Sequence, residues 1–228
     1  MNFRFFILIF LLAGFVYAQS ANYSCPADNK KAKEHRGMFK VFEVGNSVEA
    51  INLKIIDTHN SEKDDYDSYK EEFIAAGVAL NIKYGVTIAN LLAFYSSFNI
   101  DPLYGKINQE KFSDERTTEE YYSLHVQTIL GIGTAVYPFQ SFGFMNGFFI
   151  GGTASYVVSI MTEGHMPFSQ GKAFQVEIGK DWWTGKHSSV GVAFSFTDVI
   201  FYTGQNRYGI DIDNHNYSIA LMVRFVKG

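Results

Sequence analysis

Six histidines and one cysteine bound the chemistry open to this 228-residue chain. Cys25 alone excludes a disulfide framework and any multi-cysteine metal or cluster site. His35 lies in a polar leader, His59, His165 and His215 in stretches that read as loops, and His187 in a turn. His125 alone falls within a strand pattern, on one face with Gln127. A strand metal site needs His or carboxylate ligands that converge, for example two residues apart. No such pair is present, so neither a metal nor a cofactor is expected. A serine hydrolase needs a hydroxyl nucleophile, a His base and an orienting acid. Tyr122 and Ser123 offer hydroxyls near His125, but Gln127 stands where a Ser two residues on would complete a strand signature. No enzyme is therefore expected; a lipid-modifying enzyme, of the lipid A deacylase or acyltransferase kind, and a narrow channel are the alternatives. The acidic run Glu62 to Asp67 reads as a solvated loop rather than a Ca²⁺ site. Gly131-x-Gly133 lies inside a strand pattern and is no phosphate loop.

Five other ionisable residues raise a different question. Glu43, Lys83, Glu177, Asp181 and Arg224 sit in segments whose remaining residues are mostly apolar or small. Those segments have a period of two. Tyr217, Ile219, Leu221, Val223 and Phe225 fall on one face, with Ser218, Ala220, Met222, Arg224 and Val226 opposite. Phe174, Val176, Ile178 and Trp182 oppose Gln175, Glu177, Gly179 and Asp181. Val190, Val192, Phe194 and Phe196 oppose Ser189, Gly191, Ala193, Ser195 and Thr197. Successive strand side chains point to opposite faces, so each segment has one large apolar face and one small or polar face. Small residues suit the crowded interior of a narrow barrel. By the same parity the five charges face inward. Unpaired charge is costly there, so they are expected to form one lumenal network.

Eight such segments are predicted: 38–52, 73–84, 87–98, 122–137, 147–160, 173–183, 189–202 and 216–226. Residues 53–72 and 99–121 read as long charged loops, with a barely two-residue turn at Gly85-Val86 and a tight one at Thr184 to Ser188. Long connections alternate with short ones, and the strand count is even, as in outer-membrane barrels. The expected fold is an all-β, eight-stranded antiparallel up-and-down transmembrane barrel with both termini periplasmic. The competing readings are membrane helices through the uncharged stretch Val126 to Thr162, and a soluble lipocalin-like barrel or periplasmic sandwich. Six glycines between Gly131 and Gly152 make the helical reading poor. Tyr84, Tyr137, Phe139, Phe142, Phe144, Trp182 and Phe225 are predicted near the periplasmic turns, and Tyr95, Tyr121, Tyr122, Phe201 and Tyr202 near the outer rim. Two such bands are the girdles expected at the two membrane interfaces. Arg4 followed by an apolar run from Phe5 to Val16 and then Tyr17-Ala18 reads as a cleaved signal peptide, residues 1–18. Residues 19–37 read as a flexible periplasmic lead-in and 38–228 as the barrel.

At this level the chain resembles the small eight-stranded outer-membrane proteins of the OmpA and OmpX type. The stretch Gly179-Lys180-Asp181-Trp182-Trp183, followed by Gly191-Val192-Ala193, looks like a hairpin that recurs in bacterial outer-membrane barrels. The resemblance implies the barrel fold, a place in a Gram-negative outer membrane and handling by the barrel-assembly machinery. The expected role is structural or surface-interacting, with a closed, side-chain-filled lumen. The expected partners are outer-membrane lipid and lipopolysaccharide, and the expected state is a monomer. A formal charge of −4 argues against nucleic acid.

Overall fold

The computed structural model describes residues 37–56, 68–88, 91–112, 117–139, 143–163, 168–185, 187–201 and 212–228. The predicted signal peptide, the lead-in as far as residue 36, the acidic run 62–67, His35, His59, His165, Phe142 and Tyr202 lie outside the described residues. Eight antiparallel strands form a closed ring in chain order: β1 Gly37–Ile56, β2 Ser68–Ile88, β3 Leu92–Phe112, β4 Thr117–Val136, β5 Phe148–Met161, β6 Phe168–Trp183, β7 Ser188–Phe201 and β8 Ile212–Lys227. Following the paired residues from Phe42 through Ile82, Phe98, Leu130, Tyr156, Lys172, Ile200 and His215 returns to β1 at Asn52. That offset of ten positions obliges the strands to tilt, by roughly 35–45° for small barrels.

The two faces of the ring are inverted relative to a soluble protein. Among the described residues, every large exposed hydrophobic side chain except Phe144, in the short turn before β5, stands on the outward parity. Ile82, Tyr84 and Val86 of β2, Val176 and Ile178 of β6, and Leu221 and Val223 of β8 belong to this surface. Soluble monomers rarely expose contiguous apolar patches above a few hundred Å². A continuous apolar belt around a closed barrel is a lipid-facing surface. The barrel spans a membrane. Inside stand Ala79, Ala93, Ala135, Ala193 and Ala220 among buried Ser, Thr and charged residues. The stretch once open to a helical reading forms the end of β4 and all of β5.

Several boundaries move. The stretch 99–121 is mostly strand and 53–72 is strand at both ends, because β1 runs to Ile56, β2 begins at Ser68, β3 runs to Phe112 and β4 begins at Thr117. Their outward faces carry charge, which reads as loop in one dimension. In the sheet it becomes cross-strand pairing, as between Lys106 and Glu120 at 2.8 Å. Gly85 is not a turn residue. It lies within β2, where a methyl group would run into the Phe94 carbonyl of β3; β2 continues to Ile88, whose carbonyl accepts from the Leu91 N–H just before β3. Tyr95 therefore lies near the end that carries both termini, not near the opposite rim, and faces the lumen. Tyr137 and Tyr121 also turn inward, contrary to the girdle expectation. Proximity to a strand end suggested an interface position, whereas strand parity decides the face. Tyr137 packs on Phe149 with ring centroids 5.6 Å apart, and the Tyr121 hydroxyl donates to Glu71 at 3.0 Å. Tyr84, Trp182 and Phe225 point outward.

Candidate functional site

The lumen holds two separate polar layers. The one nearer the termini is assembled from β1, β2, β6 and β8, and β1 supplies Glu43. Glu43 accepts from Asn81 Nδ2 at 2.8 Å and from Lys83 Nζ at 3.1 Å. Lys83 reaches across the ring from β2 to a second carboxylate, Glu177 on β6. Arg224 Nη1 donates to Glu177 Oε1 at 2.8 Å and lies 3.3 Å from Glu43 Oε1. Its Nε stands 3.0 Å from Asp181 Oδ1, an ion-pair approach without hydrogen-bond alignment. All five charged side chains are buried. Aromatic rings complete the layer: Arg224 lies 3.9 Å over the Phe149 ring, and Lys83 Nζ lies 5.4 Å from the centre of Tyr95. The Tyr95 hydroxyl is 3.1 Å from Thr153 Oγ1.

Backbone geometry sets the position of Asp181. Gly147, entering β5, has φ +85° and its carbonyl accepts the Asp181 N–H at 2.9 Å. A side chain at Gly147 would collide with the Asp181 carbonyl, so only glycine lets β6 lie this close.

The second layer lies toward the opposite mouth. Glu49 is six positions beyond Glu43 on the inward face of β1. His125 Nδ1 stands 2.7 Å from Glu49 Oε2, and its Nε2 meets the Ser159 hydroxyl. Gln127 Nε2 and Asn216 Nδ2 both donate to Glu49 Oε1. The carboxylate can only accept, so His125 donates from Nδ1 to Glu49 and turns Nε2 toward Ser159. An apolar cluster of Ile51, Phe73, Ala75, Leu103 and Ile107 flanks the layer, with Tyr121 and Met161 packed against it. The edge-on Phe73 ring lies 5.7 Å from the His125 imidazole. Among the described residues no group of three or more His, Cys, Asp or Glu is placed to hold a metal ion.

The five charges assigned inward by parity thus lie together in one layer, whereas Glu49, Ser159 and Asn216 were not singled out in the sequence. Parity alone turns all three inward. Which inward groups share a level, however, depends on the ten-position offset around the ring, a property no single segment carries.

No family model matches the chain, and no curated protein matches it. Solved structures do resemble it. The outer membrane protein OprG from Pseudomonas aeruginosa is similar over 86% of this chain and 98% of its own, at 11% identity and a TM-score of 0.46. The outer membrane protein AlkL, solved in lipid bilayers, is similar over 90% of this chain and 96% of its own, at 15% identity and a TM-score of 0.44. The outer membrane protease OmpT from Escherichia coli covers 90% of this chain and 99% of its own, at 10% identity and a TM-score of 0.39.

Proposed function

We propose that this chain is a sealed barrel of a Gram-negative outer membrane, with a structural or surface-interacting role carried by the far ends of β1 to β4. The carrying observation is the layer of Glu43, Lys83, Glu177, Asp181 and Arg224, which links β1, β2, β6 and β8 across the lumen. An eight-stranded ring has an interior just wide enough for side chains to fill. Ion pairs bridging that interior, backed by Tyr95, Tyr137 and Phe149, leave no lane for solute. Both termini are then periplasmic, and the longer strands β1 to β4 raise their charged outward faces above the bilayer on the external side. Lipid and lipopolysaccharide contact the apolar belt, the barrel-assembly machinery inserts the chain, and the barrel works as a monomer.

Planar-bilayer recording of the folded protein, with folding verified by a heat-dependent shift in gel mobility, tests the seal. Baseline current is expected. Stable unitary conductance from folded wild-type protein would replace this reading with a channel.

A further inference from the structure

The lumenal layer at the outer mouth has an arrangement that a seal does not require. A hydroxyl, an imidazole and a carboxylate from three different strands meet in series: Ser159 on β5, His125 on β4 and Glu49 on β1. Two amide donors hold the carboxylate, and the carboxylate orients the imidazole so that Nε2 faces the hydroxyl. We propose that Ser159 is a nucleophile, His125 its general base and Glu49 a positioning residue, and that the site cleaves carboxylic esters of long acyl chains.

Three observations support this assignment beyond the series itself. Ser159 is the last inward residue of β5 but one: only the half-buried Met161 separates it from the end of the strand. Its β6 partner is Ser169, the first inward residue of that strand. The nucleophile therefore sits one inward position from the end of β5, buried within the outer of the two layers. Ser169, also inward, is its direct cross-strand neighbour, and such pairs have Cβ atoms about 5 Å apart. That sets a second hydroxyl beside the nucleophile, on the neighbouring strand, as a candidate donor to an oxyanion on the attacked carbonyl carbon. Finally, the side chains packed against this layer, Phe73, Leu103 and Met161 among them, are apolar, which favours an acyl chain over a sugar or a peptide.

The chemistry balances with water as the only co-reactant. Ser159 Oγ bonds to the acyl carbon while its proton passes to His125 Nε2. The ester C–O bond then breaks and the departing alkoxide takes that proton, leaving an acyl-serine and a free alcohol. Water, deprotonated by the same Nε2, attacks the acyl-serine. The carboxylic acid leaves, and Ser159 recovers its proton from His125.

The test treats folded full-length protein with a long-chain alkyl fluorophosphonate, which a nucleophilic serine attacks at phosphorus with loss of fluoride, and maps the modified residue by mass spectrometry. The expected adduct is on Ser159. Ser159→Ala should abolish it, His125→Gln should slow it at least 100-fold, and Ser195→Ala, another inward serine, should leave it unchanged. Fatty acid release from phosphatidylcholine vesicles would place the ester in the bilayer. Turnover of p-nitrophenyl decanoate alone would place it in solution. The proposal is overturned if wild-type protein with the folded gel mobility leaves Ser159 unmodified, or if His125→Gln reacts as fast as wild type.

Discussion

Arg224 shows how much a single side chain can be asked to hold inside a narrow barrel. It approaches carboxylates from β1 and β6 while its guanidinium lies over the Phe149 ring. Removing one partner of a buried ionic group costs about 3–5 kcal/mol, because the remaining charges stay desolvated. Arg224→Ala should therefore lower the unfolding free energy by about that amount in detergent or liposome denaturation, whereas Leu221→Ala on the lipid face should cost less. Lys83→Met should be similarly damaging, because it leaves Arg224 as the only cation against the buried Glu43, Glu177 and Asp181. Adding Glu177→Gln to Lys83→Met should restore part of the loss, since Arg224 then balances two buried carboxylates instead of three. No recovery in the double variant would mean that Lys83 acts through its apolar stem and Tyr95 rather than through charge. At this scale the inward direction of all five charges is legible from a period of two. Their partners are not, because Lys83 and Glu177 are far apart in sequence and meet only across the closed ring.

Among the elements, β3 and β4 depart furthest from what their residues suggest. Charge on residues 99–121 reads as a solvated loop, yet pairing continues without a break from Leu92 opposite Val136 to Lys111 opposite Thr117. A ladder needs backbone partners and not lipid, so alternation persists after the outward face has changed from Phe94 and Phe98 to Tyr104 and Lys106. The stacked rings of Tyr104 and Tyr122, 5.7 Å apart and both exposed, mark that change. The apolar halves of the strands were readable because lipid imposes large outward residues there. The polar halves were not, since water imposes none. Two outcomes follow for these elements. On a Cys25→Ser background, a membrane-impermeant maleimide should label Glu119→Cys on intact cells and spare Gly185→Cys; the opposite pattern would invert the barrel. Gly147→Ala should destabilise the fold by about 1–3 kcal/mol, since a non-glycine residue is strained at φ +85° and would push β6 away.

For the molecule as a whole, the two lumenal layers lie in series along one narrow path. The layer near the termini carries three carboxylates against two cations, and the outer layer closes around Glu49 with Gln127, His125 and Asn216. For two barriers in series the larger sets the current, so opening one should change little. Lys83→Ala with Arg224→Ala removes the two long cations and leaves Glu43, Glu177 and Asp181 facing the lumen. That variant alone should stay close to baseline in planar bilayers. Combined with Glu49→Ala and His125→Ala, it should pass current, and the remaining carboxylates should make that current cation-selective, as acidic rings do in pores. If the first pair of substitutions conducts as well as all four, the outer layer is no barrier and the seal rests on the ionic layer alone. If all four leave a folded barrel silent, the seal belongs instead to the packed rings of Tyr95, Tyr137 and Phe149, and the charges serve to fasten the strands to one another.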